Sequence, residues 1–195
     1  MPTIVVLGVC GSLRRASCNG GLLRAAAAHA ATLGAPAKVE FRMASIASLP
    51  LYSGDLDGAD APAAVAAWRE AVGSADAVFI ASPEHNFSMS AALKNALDWA
   101  STKPANLWAG KAAAVVGAGG GSGTARAQLA LRQSAVFLDL SFVNAPELNV
   151  KRFEEQCFDE LTGELTSDKV RDKVAHMVER LVGLALALRA GGSQK

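Results

Sequence analysis

The sequence predicts a doubly wound α/β domain in which helices cover both faces of a parallel sheet. Apolar runs of strand length alternate with amphipathic stretches of helix length from one end of the chain to the other. This alternation is typical of βαβ units with right-handed crossovers. The strand-length runs are also continuously apolar, as expected for strands that are buried on both faces.

The first half of the chain contains three predicted strands and two predicted helices. Thr3–Val9 is a β-branched apolar strand, Asn19–Leu33 is an alanine-rich helix closed by a glycine, and Val39–Met43 is a short second strand. A second helix, Ala61–Gly73, carries a proline in its first turn, where the missing amide hydrogen is not needed. Asp76–Ala81 is a third, buried strand.

The second half continues the same alternation. Apolar residues recur at helical spacing over Met89–Ala100. A fourth strand follows at Lys111–Gly117, and a glycine cluster separates it from a helix over Ala125–Leu138. Leu140–Val143 is a weaker fifth strand.

The C-terminal part combines an irregular segment with one long helix. Residues 144–163 contain a proline and a glycine and are predicted to be irregular. A last helix begins near Ser167 and keeps apolar residues on one side as far as Leu188. With neither an internal repeat nor a linker in view, we expect a single domain over residues 1–190 and a frayed tail over 191–195.

Composition excludes several classes of protein. The 195 residues include 19 Lys+Arg and 18 Asp+Glu, for a net charge of +1, without the basic excess of a nucleic-acid binder. The three cysteines and three histidines are too scattered to predict a disulfide framework or a metal site. The N-terminus lacks a basic signal region, and the apolar runs are too short to cross a bilayer. We therefore expect a cytoplasmic protein that binds neither nucleic acid nor membrane.

The loop after the first strand, Gly11–Asn19, contains groups that suit a phosphate. In an open parallel sheet, ligands bind beyond the carboxyl ends of the strands. This loop offers hydroxyls from Ser12 and Ser17 and guanidinium groups from Arg14 and Arg15, next to the amides of a helix N-terminus. The same residue types also cap helices, so a cap without a ligand is the alternative.

Spacing excludes two other kinds of phosphate loop. The sequence contains no GxxxxGK[ST] pattern. A low-molecular-weight phosphatase loop places an arginine six residues after its nucleophilic cysteine, whereas Cys10 is followed by Arg14 and Arg15. We therefore expect Cys10 to be a small buried residue at the end of the strand.

Two further loops follow the third and fourth strands. Ser82–Ser90 includes Glu84, His85 and Phe87, which could place flat groups and amide donors against an aromatic ring system. His85 is interpreted either as a general acid or base, or as an ordinary exposed loop residue. Gly117–Thr124 is glycine-rich and lets the backbone approach a ligand, although it is not a GxGxxG fingerprint. A loop without a ligand is the alternative for this segment.

Together the three loops resemble the NADPH-dependent FMN reductase family, a flavodoxin-like group that includes quinone and chromate reductases. The resemblance lies in GSLRRAS-N at 11–19, SPEHNFSMSAALKNALDW at 82–99 and the glycine loop at 117–123, and it covers almost the whole chain. It implies a flavodoxin-like three-layer α/β/α fold with a five-stranded parallel sheet of order 2-1-3-4-5.

The resemblance also implies a binding site for FMN. The first motif would hold the phosphate, the second would line the isoalloxazine ring, and the third would pass near the ring and the pyridine nucleotide. The residues thereby assigned to the cofactor are Ser12, Arg14, Ser17, Cys18, Asn19, Pro83, Glu84, His85, Asn86, Phe87, Ser88, Gly117, Gly119 and Gly120. His85 departs from the family, which commonly has a tyrosine there.

The implied reaction passes a hydride from NADPH, or alternatively NADH, through FMN to a quinone, a free flavin, an azo compound or chromate. Flavin carries such electron chemistry itself, so no catalytic side chain is expected. Family members are commonly dimers or tetramers, and the helix that begins at Met89 is a candidate contact surface. Two alternatives remain: a flavodoxin-type electron carrier, which would usually be strongly acidic, and a domain that binds another phosphorylated ligand without redox chemistry.

Overall fold

A computed structural model, which describes residues 1–58, 61–102 and 105–192, contains a six-stranded sheet with helices on both faces. The strands are β1 (Thr3–Cys10), β2 (Lys38–Ala44), β3 (Ala77–Ala81), β4 (Ala112–Gly119), β5 (Ser141–Phe142) and β6 (Asn149–Lys151). All pairs are parallel, and the order β2-β1-β3-β4-β5 confirms the predicted flavodoxin-like topology.

The helices, apart from α5, are close to their predicted positions. They are α1 (Cys18–Ala30), α2 (Ala63–Gly73), α3 (Ala91–Trp99), α4 (Ala125–Leu138), α5 (Arg152–Glu155) and α6 (Asp168–Gly192), with a 3₁₀ turn at Gly54–Leu56. Helix α6 continues beyond the predicted start of the tail at residue 191, and residues 193–195 lie outside the described part of the chain. None of the helices in the described ranges combines the length and apolarity that a bilayer crossing requires.

Two apolar layers hold the helices against the sheet. On one face, α1 and α6 pack against side chains of β1 such as Ile4 and Val6. On the other, α2, α3 and α4 pack against Leu7 and Val9 of the same strand. Side chains of successive strand residues point to opposite faces, so a strand in the middle of the sheet is apolar throughout.

The neighbour of β4 is split into two short strands. β5 pairs with Ala112 and Ala113 near the start of β4, and β6 pairs with its last three residues. β6 and α5 lie within residues 144–163, so the predicted irregular segment is wrong in part. Elements of three and four residues show no periodicity in a sequence. Through β6, the chain returns to the carboxyl edge of the sheet, where the three singled-out loops lie.

Candidate active site

Three loops meet at the carboxyl edge of the sheet because β1, β3 and β4 are adjacent and parallel. They are the β1–α1 loop (11–17), the β3–α3 loop (82–90) and the β4–α4 loop (120–124). Side-chain hydrogen bonds tie the β3–α3 loop to each of the other two loops, and a further pair of bonds ties α1 to β4.

Ser90 and Asn19 make two of these ties. The Ser90 hydroxyl caps α3 and donates to the carbonyl oxygen of Gly11 at 2.6 Å, which joins the first two loops. The Asn19 carboxamide donates to the carbonyl oxygen of Ala118 and accepts from the amide of Ala118, both at 3.0 Å. Asn19 is buried, so its side chain anchors α1 to β4. The family resemblance implies that Asn19 binds the phosphate, but its side-chain amide is already engaged with Ala118 here.

Glu84 makes the third tie. Its Oε1 accepts a hydrogen bond from the Ser122 hydroxyl at 2.8 Å, and its Oε2 accepts from the amides of Arg126 and Ala127 at 3.0 and 3.2 Å. Thr124, the residue before α4, makes no side-chain cap. Glu84 therefore caps α4 from another loop and fixes the β4–α4 loop at the same time.

The environment of Glu84 favours its ionised form. Burial on its own would raise the pKa of this carboxyl group, but the hydrogen bonds from Ser122 and the two backbone amides, together with the Arg126 charge, hold the pKa below its ordinary value. The carboxylate is thus a fixed negative charge at neutral pH.

The β1–α1 loop places two hydroxyls beside the start of a helix. Ser17 is the N-cap of α1, and its hydroxyl oxygen accepts from the amide of Gly20 at 3.3 Å. The Ser12 hydroxyl oxygen accepts from the amide of Arg14 at 3.4 Å. A hydroxyl that accepts still has its own hydrogen to donate. Helix α1 begins at Cys18, directly after its cap. The residues that cap the helix are therefore among those predicted to bind an anion.

Cys10 lies at the end of β1 beneath this loop. Its thiol donates to the carbonyl oxygen of Ser12 at 3.4 Å. Burial raises the pKa of the thiol, against the opposing effect of hydrogen bonds to Ser12 and Ser17. A half-buried thiol with a raised pKa stays protonated at neutral pH and is a poor nucleophile. Cys10 thus lies at the end of the strand, as expected, but is half-buried and not buried.

The β3–α3 loop contains a tight turn that exposes three of the predicted residues. His85 and Ser88 exchange two backbone hydrogen bonds of 2.9 Å. Asn86 and Phe87 between them have φ values of 49° and 65°, as in a type I′ turn. His85, Asn86 and Phe87 are exposed, whereas Pro83 is buried.

The predicted glycines divide into two kinds. A Cβ added at Gly117 would collide with Thr124 and the carbonyl oxygen of Ser82, and one at Gly119 would collide with the carbonyl oxygen of Gly123. Gly120 has open space instead. It lines a cleft of about 560 Å³ with Glu84, Asn86, Phe87, Gly121, Ser122 and Arg126. Gly117 and Gly119 thus permit close packing, and Gly120 faces the cleft.

A second cleft, of about 400 Å³, lies beside the β1–α1 loop. Its lining includes Arg14, Ala16 and Cys18 together with Arg152 and Phe153 of α5. Sequence reasoning missed the α5 residues and Arg126, and it included Ser122 only as part of the glycine-rich loop. Ser90, by contrast, precedes an apolar helical pattern, and that position is a recognisable N-cap signal.

Comparisons with known proteins agree with this arrangement. Residues 4–155 match the family model for NADPH-dependent FMN reductase. The chain is 52% identical over 156 residues to a probable NADPH:quinone oxidoreductase of Oryza sativa subsp. japonica, with 79% of this chain and 78% of that protein covered. It is 44% identical to an NAD(P)H-dependent FMN reductase of Pseudomonas aeruginosa, with 75% of this chain and 77% of that protein covered.

Among solved structures, FerB from Paracoccus denitrificans, a flavoenzyme NAD(P)H:(acceptor) oxidoreductase, is similar with a TM-score of 0.80 at 30% sequence identity. The similarity covers 94% of this chain and 98% of FerB. From the family match, the relatives and the shared fold, we conclude that this chain belongs to the NADPH-dependent FMN reductase family.

Proposed function

We propose that this chain is an FMN-dependent NAD(P)H oxidoreductase that reduces quinones. The observation that supports this function most directly is that the β3–α3 loop is hydrogen-bonded to both of the other loops. This loop joins a hydroxyl-rich helix N-terminus, suited to a phosphate, to an open backbone cleft, suited to a flat ring. The family resemblance implies that the same three segments bind FMN.

At the phosphate end, the residues fit a phosphomonoester. The Ser12 hydroxyl keeps a hydrogen to donate, the Ser17 hydroxyl can turn its hydrogen from the Cys10 sulfur, 4.0 Å away, to a ligand, and Arg14 is exposed beside them. The amides of Cys18 and Asn19 precede the first intrahelical hydrogen bond, which runs from Gly21 to Ser17, and so are oriented for an anion. We assign the phosphate to these five residues, with Asn19 contributing its backbone amide.

At the ring end, the residues fit a flat heterocycle. A Cβ at Gly120 or Gly121 would meet nothing within 4 Å, so the absence of side chains there leaves space that a ring can fill against the backbone. Glu84, Asn86 and Phe87 form the facing wall. Glu84 holds the two walls together through its bond to Ser122.

The proposed reaction converts NADPH, a quinone and one proton into NADP⁺ and the hydroquinone. Bound FMN supplies the two-electron chemistry. The residues of this chain bind and orient, and we assign no catalytic side chain. His85 is exposed at the start of the turn, and we assign it to the ring edge rather than to an enclosed acid–base site.

Spectroscopy of the purified protein tests this function. We expect flavin absorption bands that survive removal of excess FMN, that bleach when NADPH is added without oxygen, and that return when a quinone is added. A flavin spectrum that NADPH leaves unchanged would instead indicate an electron carrier. A protein that stays colourless after incubation with FMN would refute the flavin assignment.

We further propose that the chain forms a homodimer or homotetramer. The apolar face of α3, the expected contact surface, lies in the core through Leu93 and Leu97, so we assign the contact to α4 instead. That helix leaves Leu129, Val136 and Phe137 exposed at 66%, 83% and 79%. Sedimentation of the Leu129→Glu variant tests the assignment, because a charge in a contact between copies should shift the protein toward the monomer.

Chromate, free flavins and azo compounds belong to the acceptor range that we propose, since an open cleft excludes none of them by size. Steady-state assays with each acceptor test that range. A cytoplasmic location is also part of the proposal, and cell fractionation tests it.

A further inference from the structure

The β3–α3 turn holds an exposed aromatic ring in an unfavourable backbone conformation. Phe87 is 69% exposed, and its φ of 65° lies in the left-handed region that residues other than glycine and asparagine rarely adopt. Asn86 suits a type I′ turn, but a phenylalanine does not. Because the ring is exposed, burial does not offset this cost. A strained, exposed aromatic residue at a cleft therefore points to a function for the ring itself.

A cation lies over this ring. The guanidinium carbon of Arg126 is 4.1 Å from the ring centroid of Phe87. Nη1 of Arg126 is 3.4 Å from Glu84 Oε1, but that carboxylate also accepts from Ser122 and from two backbone amides at the start of α4. The Arg126 side chain is 51% exposed. The mouth of the cleft thus presents an arginine supported by an aromatic face, whereas the amides of the helix are already occupied.

We propose that Phe87 and Arg126 form an acceptor subsite that selects flat aromatic acceptors carrying a negative charge, such as a phenolate, carboxylate or sulfonate on a quinone ring. The proposal rests on the quinone reduction proposed above. The phenyl ring offers apolar area to a flat ligand, and the guanidinium donates charge-assisted hydrogen bonds to an oxyanion. A neutral quinone gains only the first of these contacts, so the pair of residues favours the charged acceptor.

The test compares two acceptors with the same ring system, 1,2-naphthoquinone-4-sulfonate and 1,2-naphthoquinone, using the full chain loaded with FMN. We define the acceptor ratio as kcat/KM for the sulfonate divided by kcat/KM for the neutral quinone. In Arg126→Gln, the acceptor ratio should fall about tenfold, because one charge-assisted contact is lost. Arg126→Lys should keep part of the ratio, because lysine retains the charge without the planar fork. Added salt should lower the ratio for the unmodified enzyme, because it screens the charge of the arginine.

Two further variants separate the contribution of Arg126 from that of Phe87. Arg132 is a matched control on the same helix: it lies 4.7 Å over Phe142 and donates to Asn144, outside the cleft. Arg132→Gln should leave the ratio unchanged. Phe87→Gly should raise the unfolding temperature, because glycine accepts a positive φ, while kcat/KM falls for both quinones. A purely structural role for the ring would not produce these opposite changes.

The FMN dissociation constant and NADPH-driven bleaching, measured for every protein, distinguish the possible failures. If the unmodified chain does not bind FMN or is not reduced by NADPH, the proposed function fails and the subsite with it. If all variants bind FMN and react with NADPH but Arg126→Gln keeps the acceptor ratio, only the subsite is refuted. A raised KM for NADPH with an unchanged ratio would show that the arginine binds the nucleotide instead, and would also overturn the proposal.

Discussion

The two ends of the candidate site are built in different ways. At the β1–α1 end, neutral side chains hold the backbone: Ser17 caps α1, and Asn19 forms two hydrogen bonds with Ala118. At the β3–α3 and β4–α4 end, one carboxylate, Glu84, organises two loops and the start of α4. The proposed phosphate end thus depends on uncharged hydrogen bonds, and the proposed ring end depends on a half-buried charge.

This difference determines which substitutions damage the fold and which only weaken binding. A side chain whose polar atoms already bond buried backbone cannot be removed without leaving those groups unpaired. An exposed side chain beside the same loop can be removed at little cost in stability. Residues of one sequence motif should therefore differ widely in the consequences of their loss.

The largest effect is expected for Asn19→Ala. The substitution leaves the amide and the carbonyl oxygen of Ala118 without their partner, so unfolding of the FMN-free protein should become easier by about 2–4 kcal/mol. Denaturant titration measures this loss. Ser12→Ala is the control, because its partner amide at Arg14 is exposed. Equal losses for the two variants would contradict the distinction between anchoring and ligand-facing residues.

A somewhat smaller loss of stability is expected for a glycine that permits close packing, and no loss for a glycine that faces the cleft. Gly117→Ala places a methyl group against Thr124 and the backbone carbonyl oxygen of Ser82, which should cost about 1–3 kcal/mol of stability through overpacking. Gly120→Ala meets open space and should unfold like the unmodified chain while its FMN dissociation constant rises. Thermal unfolding and flavin fluorescence titration measure the two properties. A destabilised Gly120→Ala would show that both glycines serve packing.

Most of the fold follows from the sequence because its central strands are buried on both faces. Such strands are continuously apolar, so β1, β3 and β4 are recognisable as runs, and their order follows from the family resemblance. β6 and α5 are too short to show periodicity. The apolar face of α3 is also ambiguous in the sequence, since a helix face that packs in the core has the same pattern as one that binds another subunit.

The position of the site is predictable, but the partners of its polar atoms are not. The three loops are identified because they follow strands that end at one edge. Asn19 and Ser12 have similar polar chemistry in the sequence, yet only Asn19 is anchored to β4. That distinction depends on contacts such as Asn19 with Ala118, between residues that lie far apart in the chain. Tertiary geometry, and not residue type, decides these roles.

An intermediate effect is expected at the ring end for Glu84→Gln. Glutamine keeps the size of the side chain but loses the charge that caps α4, so stability at neutral pH should fall by about 1 kcal/mol. Because the folded-state pKa of Glu84 lies below its ordinary value, its contribution is complete above the unfolded-state pKa and is lost as the pH falls through the folded-state pKa.

The difference in unfolding free energy between the unmodified chain and Glu84→Gln should therefore shrink in acid. Denaturant titrations from neutral to acidic pH measure this dependence. Glu40, whose pKa is lowered mainly by a hydrogen bond from Arg42 on an exposed strand, is the control, and Glu40→Gln should have a smaller effect at neutral pH. A difference that stays constant with pH would mean that the carboxylate acts through packing and not through charge.

The smallest effect is expected for Arg15→Ala at the phosphate end. Arg15 is exposed on the β1–α1 loop, so its removal should leave stability unchanged. Its charge can still attract the phosphates of NADPH from a distance, and KM for NADPH should rise about twofold at low ionic strength, comparable to the effect of an exposed ion pair. Because salt screens such attraction, the two KM values should converge as ionic strength increases. Arg180→Ala, in the middle of α6, should show no such rise. If KM for Arg15→Ala equals that of the unmodified enzyme at every salt concentration, the charge of Arg15 does not attract NADPH and the prediction is contradicted.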